Sequence, residues 1–510
     1  MIKEGPIMFK QFKLMTTLWA FIGISGMLLA SPAQCHSGIW VNSGGLSACG
    51  AKAYDLLTHA EDEGLSSGDF TYGIQAADRA RRGQISYAEA DRQMNDAMIR
   101  YIDQIRHGRF NPRSADHRIV MQPERVSAAN VIAQGSASGG CDWLDQQAPP
   151  FEGYRQLKPL LKKYRAIAAQ GPWPMLPTNM NVAPYGSNEN LGTVRDMLVR
   201  LGYLSDSDSG SSSDSDDALM NAVKKFQSTH GLLPDGALGP ATVKELNKSP
   251  AERVRQIVIT MERWRWMPRN PGARYIRVNI AGFMLDAVEN GRIVMSSPII
   301  VGTDYRETPV FSATMTEVKF NPSWHVPHSL AIKDKLPKLH QEGASYLTNN
   351  HFVVTTTVNG KEREVNPHSI NWKNVHEGNF HYSLRQTPGD YNALGRIRFT
   401  IISPFGVYLH STPDQHLFEW PIRTFSSGCI RVKKVEELGA FVMNNSSDWP
   451  ASRIASEMHG SSTKAVSLPR SIPVHVVYFT VWNDENGEPH FQPDVYGQDA
   501  HVASVMRRWL

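Results

Sequence analysis

The hydrophobic pattern of this chain changes period along its length, and that change limits the possible folds more than any other feature. Between about Ala51 and Met121 apolar residues recur at helical spacing. Met94, Ala97, Met98, Tyr101, Ile102 and Ile105 share one face, behind the N-cap candidate Ser86. From Tyr275 onward the period is two: Tyr275 to Ile280 alternates, as does Arg292 to Met295, with the turn pair Asn290-Gly291 between them. Helices first and strands afterwards predict a multidomain α+β chain with a mainly β domain in its second half. At 510 residues it exceeds one ordinary core, so two to four domains are expected.

The N-terminus has its own texture. Lys3, Lys10 and Lys13 precede an uncharged, mostly apolar run from Leu14 to Ala30, followed by Ser31-Pro32-Ala33. Residues 1–33 therefore read as a cleaved export signal or, because the run is about long enough to span a bilayer, as a retained membrane anchor. Cleavage is the preferred reading. With no second long apolar stretch, the remainder is expected in the periplasm, with membrane contact only through that segment. There, any two of Cys35, Cys49 and Cys141 could pair. Lys and Arg total 53 against 49 acidic residues, and no basic block stands out, which argues against nucleic-acid binding.

Further boundaries follow from composition. Residues 45–180 read as a helical scaffold that includes a helix from Arg155 to Ala169, and Pro172, Pro174, Pro177 and Pro184 mark a linker. Residues 188–248 form a three-helix unit: Thr193 to Leu204 near Gly202, Ala218 to His230 before Gly231, and Pro240 to Leu246. Its Ser/Asp-rich stretch, Ser205 to Asp217, sets Asp206, Asp208 and Asp217 loosely at calcium-loop positions. It lacks the required glycine, so a solvated loop is the better reading. Strands are expected at Ser297 to Val301, Thr316 to Phe320, Ile397 to Ile402, Val407 to Leu409 and Pro473 to Val481. A capping insertion at 322–392 contains a helix-prone segment, His328 to His340. The β domain then spans 272–481, and 482–510 is a polar extension without an assigned place.

The chemistry concentrates in two runs, Tyr408-Leu409-His410-Ser411-Thr412-Pro413 and Ser426-Ser427-Gly428-Cys429-Ile430-Arg431. A strand delivers His410, and Cys429 follows in a tight turn ahead of a helix carrying Val435, Leu438, Phe441 and Val442. A cysteine beside an imidazole and near a helix N-terminus would be held as a thiolate. Gly428 permits a turn that aims main-chain amides at an oxyanion. With eighteen histidines in the chain, a buried cysteine and an unrelated histidine remain an equal reading on spacing alone.

The wider strings resemble known families. Ser427-Gly428-Cys429 and Arg431 after His410 are similar to the signature of the L,D-transpeptidase (YkuD-type) family. Ser427 stands where most members have a second histidine, as in the large YcbB-like branch. The lysine-rich helix followed by Gly231-Leu232-Leu233-Pro234-Asp235-Gly236 resembles a peptidoglycan-binding domain. The resemblance implies a YkuD-like β-sandwich with a capping subdomain. Cys429 would be the nucleophile, His410 the proton acceptor and later donor, the Ser411 carbonyl an orienter of the imidazole, and Gly428 and Cys429 the oxyanion amides. Arg431, Ser427, Tyr408, Trp324 and Tyr382 are the substrate-binding candidates; packing is the default for Tyr408, Trp324 and Tyr382, and a plain surface charge stands equally open for Arg431.

The implied reaction forms a 3-3 cross-link between diaminopimelate residues of two peptidoglycan tetrapeptide stems, with release of D-alanine and inhibition by carbapenems. Peptidoglycan synthases and carboxypeptidases would be its partners; no cofactor or metal is called for. The alternatives are an L,D-carboxypeptidase, attachment of a lipoprotein through the same acyl-enzyme, and a non-catalytic wall-binding scaffold. A zinc amidase lacks its His-Glu-x-x-His ligands.

Overall fold

Serine hydroxyls open the first and third helices. After a short hairpin, β1 (Val41–Asn42) and β2 (Gly45–Leu46), Ser47 caps α1 (Ala48–Thr58) by accepting from the Gly50 amide. After α2 (Thr71–Arg81), Ser86 caps α3 (Tyr87–His107) through the Glu89 amide. The apolar face of α3 predicted from Met94 to Ile105 is buried. Gly73 lets α2 and α3 touch, since a Cβ there would lie 2.3 Å from that of Ala97. Then come β3 (Ile119–Val120), α4 (Ala128–Ala137) and α5 (Glu152–Ala168). A disulfide joins Cys49 to Cys141 across 92 residues, which selects one of the possible pairings. The computed structural model describes residues 38–121, 123, 125–208, 213–444 and 446–509. The export-signal segment and Cys35 lie outside them. Among the described residues no helix is long and apolar enough to cross a membrane.

The next unit is built on α6 (Leu191–Leu201), closed by left-handed Gly202, α7 (Asp217–Thr229), capped by Asp216, and α8 (Pro240–Leu246), which starts on its proline. Gln227 holds the turn between α7 and α8. Its amide nitrogen donates to Asp235 Oδ1 and Ala237 O, and its oxygen accepts from Gly236 N.

A helix that the sequence reading leaves unassigned joins the two halves. α9 (Pro250–Trp264) begins in a capping box of Ser249 and Glu252 and runs into the interior. Its Glu262, fully buried, accepts from Arg109 and Arg265 at 3.1 and 2.8 Å. Arg265 also donates to Tyr154, whose hydroxyl donates to Glu63 Oε2 at 2.8 Å. Charges this deep persist because each has a partner; removing one partner of such a pair typically costs about 3–5 kcal/mol.

The strands follow. β4 (Arg274–Asn279), β5 (Met284–Glu289), β6 (Arg292–Gly302) and β7 (Val310–Phe320) lead into the insertion. β5 was not foreseen: the Asn290-Gly291 turn joins β5 to β6, not the Tyr275 strand to the Arg292 strand. The insertion holds β8 (Trp324–His325), α10 (His328–Leu330), a π-helical turn at Ala331–Lys335, α11 (Leu336–Glu342) and α12 (Ala344–Asn349). It ends with β9 (Phe352–Val358), β10 (Lys361–Val365) and β11 (Tyr382–Gln386). These enclose a core of their own around Leu339, Leu347, Val354 and Leu384, beneath a sheet ordered β10-β9-β11-β8.

The chain returns through β12 (Ile397–Ile402), β13 (Leu409–His410), β14 (Thr424–Ser426), β15 (Ile430–Val432), α13 (Val435–Val442), α14 (Ala451–Met458) and β16 (Lys464–Val477). The large sheet runs β12-β13-β15-β6-β5-β4-β16-β7, and β7 pairs back with β12, so the ladder closes on itself and hides its edges. β3 from the helical half adds in parallel to β7. The C-terminal segment is not a loose polar tail. It forms β17 (Val481–Asn483), β18 (Pro489–Phe491) and α15 (Gln498–Val505), with Phe491, Val502 and Met506 fully buried.

Closing a loop of this length restricts the unfolded chain by about 4–5 kcal/mol. Cys49→Ser is therefore expected to lower the thermal midpoint. Adding a reductant should lower the wild-type midpoint to that of the variant and leave the variant unmoved, as read by differential scanning fluorimetry.

Candidate active site

Alternation along three neighbouring strands builds the site. Ile397, Phe399, Leu409, Ile430 and Val432 point into the closed sheet and are fully buried. Their neighbours Arg398, His410 and Arg431 take the other face. Arg398 pairs in register with His410, and His410 with Arg431, while Leu409 pairs with Ile430. That parallel register sets Tyr408 beside Cys429, and the Ile430 amide donates to Tyr408 O at 3.1 Å. His410 and Cys429 are therefore diagonal neighbours on one face, a spacing that long side chains bridge.

His410 is buried, and its Nδ1 lies 2.5 Å from Ser411 O. A carbonyl only accepts, so Nδ1 carries the proton and Nε2 keeps its lone pair. Burial, reinforced by the Arg431 charge, lowers the imidazole to about 3, so the ring is neutral at working pH. Cys429 is free of any disulfide and half-buried. Burial raises its thiol, against the opposing pull of the Tyr408 main-chain amide and hydroxyl. Arg398 and Arg431 add smaller effects that also favour the thiolate. The resting pair is thus neutral thiol and neutral imidazole, in place of the ion pair expected from sequence.

The helix dipole expected to assist is absent from the site. Cys429 enters strand β15, and α13 starts only at Val435. The oxyanion turn also differs from expectation. Gly428 takes φ +108°, as a glycine there allows, but its amide donates to Ser426 Oγ at 3.1 Å and is not free for a ligand. Ser426 Oγ in turn donates to Cys429 O at 2.6 Å.

The other candidates divide. Tyr408 is more than packing: its hydroxyl interacts with the thiol, and its ring sits 5.9 Å from that of His410. Trp324, on β8 of the insertion, reaches the same hydroxyl. Tyr382 does not come to the site. It packs on Trp372 and Phe380 inside the insertion, at ring distances of 5.4 and 5.9 Å. Arg431 donates to Asp414 at 2.9 Å and to Thr412 at 3.3 Å, which braces the loop after His410. Ser427 is exposed, and its Oγ accepts from Arg306 at 3.1 Å.

Two arginines escaped the sequence reading. Arg398 lies over the Tyr408 ring at 5.2 Å. The alternation of Ile397, Phe399 and Ile401 was the signal that it faces outward. Arg306 joins Ser427 to Asp334 in the π-helical turn of the insertion, through two bonds of 2.6 Å. No local pattern marks it, because its partners are distant in sequence.

Strand register sets His410 and Cys429 on one outer face of the closed sheet, with Trp324 of the insertion at the Tyr408 hydroxyl. Residues 273–460 match the L,D-transpeptidase catalytic domain of the YkuD family. Residues 33–161 match a scaffold domain, and 187–246 a family described as "Putative peptidoglycan binding domain". Segment by segment, then, the chain is similar to a YkuD-type L,D-transpeptidase catalytic domain and to a peptidoglycan-binding module.

A Haemophilus influenzae protein named "Putative L,D-transpeptidase" is 32% identical over 234 residues. That match spans 46% of this chain and 46% of the relative, so the chain covers less than half the length of that relative. Two solved structures are distant. The L,D-transpeptidase of Xylanimonas cellulosilytica has 13% identity, covers 60% of this chain and 99% of its own, and has a TM-score of 0.19. The Ldtfm-avibactam carbamoyl enzyme has 12% identity, 63% and 98% coverage, and a TM-score of 0.18.

A thiol raised by burial ionises late. Alkylation of Cys429 by iodoacetamide should therefore climb through the alkaline range, with Tyr408→Phe about tenfold slower at a fixed mildly alkaline pH. Peptide mass spectrometry against pH checks this. A plateau from about pH 5 to 8 would reveal a standing thiolate-imidazolium pair.

Proposed function

We propose that this chain is a peptidoglycan L,D-transpeptidase that forms 3-3 cross-links through a thioester on Cys429. The observation that carries it is the common outer face of Tyr408, His410, Cys429 and Arg431, inside the segment that matches the catalytic domain. Because the resting groups are neutral, the proton moves as the bond forms. His410 Nε2 takes the Cys429 proton while Sγ attacks the diaminopimelate carbonyl of a donor tetrapeptide. The imidazolium then protonates the leaving D-alanine amine, and the carbonyl carbon remains on sulfur. The side-chain amine of diaminopimelate on an acceptor stem attacks the thioester, His410 accepts its proton, and the thiol is restored. The bond energy stays in the acyl group throughout, so no nucleotide is needed.

The surroundings suit this substrate. Arg398 and Arg431 give the face a positive field for a peptide rich in carboxylates. The cap brings Trp324 onto Tyr408 and Asp334 onto Arg306, placing it where it would exclude water and favour amine over hydrolysis. The peptidoglycan-binding module would hold the enzyme on its polymer, in the periplasm or wall.

Incubation with disaccharide-tetrapeptide and mass analysis of the products tests the proposal. A dimer lighter by one D-alanine is expected. Cys429→Ala should abolish it, and His410→Ala should slow it at least about a hundredfold. A tripeptide product alone would indicate a carboxypeptidase, and a Cys429→Ala protein with full cross-linking would leave a cysteine-independent enzyme.

A further inference from the structure

Thr308 takes no part in the steps above, yet it is fully buried and both functions of its hydroxyl are used. Oγ1 donates to Gly428 O at 2.9 Å and accepts from Gly302 N at 3.0 Å. The Gly428 carbonyl and the Cys429 amide belong to one planar trans peptide unit, so fixing the oxygen fixes the direction of the N–H on the opposite side. That N–H makes no hydrogen bond within the described residues. The neighbouring Gly428 amide, by contrast, is taken by Ser426. The Cys429 amide is thus the donor of this turn left for an oxyanion forming on the carbonyl that Sγ attacks.

Thr308 is itself held by a residue outside the matched catalytic segment. Tyr496, five residues beyond β18 and just ahead of α15, donates its hydroxyl to Gly302 O at 2.5 Å, and the Thr308 amide donates to the Tyr496 hydroxyl oxygen at 3.4 Å. One phenol therefore clamps both ends of the 302–308 loop. Tyr496 is in turn fixed by Tyr478, whose hydroxyl accepts from the Tyr496 amide at 3.0 Å and donates to Asp494 at 2.7 Å.

We infer that Thr308, clamped by Tyr496 of the C-terminal segment, is a positioning residue that aims the Cys429 amide at the reaction's oxyanion. The inference rests on Cys429 being the nucleophile. It gives the segment after residue 481 a part in catalysis: it completes the turn from behind.

Steady-state kinetics of the full chain on disaccharide-tetrapeptide, with Thr308→Val, Thr308→Ser and Tyr496→Phe, tests it. Thr308→Val keeps the shape and loses the hydroxyl; kcat should fall about tenfold or more with KM unchanged. Thr308→Ser keeps the hydroxyl and should retain kcat within about twofold, even if its thermal midpoint drops. A purely structural role predicts the reverse, with midpoints shifted and kcat of the folded protein unmoved. Wild-type kcat in Thr308→Val, or equal impairment in Thr308→Ser, overturns the inference. Should Thr308→Val fail to fold, Tyr496→Phe decides: a several-fold loss in kcat at constant KM supports the clamp, and unchanged kcat overturns it. Cys429→Ala separates the two levels. Full activity in that variant removes the cysteine reading and this inference with it; loss there beside an unaffected Thr308→Val removes the inference alone.

Discussion

The parallel register between two short strands, Leu409–His410 and Ile430–Val432, is the constraint on which the rest of the site depends. A strand shows alternate residues to opposite faces, so a slip of one position in β13 would turn Leu409 outward and His410 inward, and one in β15 would turn Ile430 outward and bury Arg431. The slip is prevented because Leu409, Ile430 and Val432 are fully buried in the sheet. The same apolar residues that stabilise the sheet therefore hold Tyr408, His410 and Cys429 on one outer face. Closure of the ladder through β7 and β12 leaves little freedom for the strands to shift against one another.

Burial explains the electrostatics as well as the geometry. A low-dielectric surround opposes charge on both members of the cysteine-histidine pair, lowering the imidazole and raising the thiol. Two arginines nearby do not reverse that balance for the thiol. Both groups are therefore neutral at rest, and in the proposed reaction charge would develop only as a substrate carbonyl is attacked. In such a site the donors that meet the oxyanion matter most, because they act only when charge appears. The turn at Ser426–Cys429 is accordingly braced from several sides, by Ser426 within it and by Thr308 and Arg306 from the loop after β6.

Much of this was legible in the amino-acid order, and the failures have physical causes. The helix Pro240–Leu246 carries its own start signal, and α3 shows a clean apolar stripe. The pair His410 and Cys429 stood in a specific string. α9 was missed because Arg253, Glu262, Arg263 and Arg265 look like a solvated face, whereas each is buried against a partner. The C-terminal segment has no assigned place from sequence for the same reason: its Asp499 is paired with Arg263 and Thr480. The expected helix dipole at Cys429 failed because two residues of spacing between strand and helix are not visible in a pattern of apolar positions. Arg306, Thr308 and Tyr496 converge on the nucleophile from far along the chain, and only the closed sheet brings them there.

The central claim is that a peptide carbonyl becomes bonded to one sulfur atom during turnover. Intact-protein and peptide mass spectrometry, with a tetrapeptide donor whose side-chain amine is acetylated, measures this directly. The account predicts a mass gain equal to the donor less D-alanine, located on the peptide that contains Cys429. An adduct on any other residue, or release of D-alanine with no adduct ever found on Cys429, would contradict it.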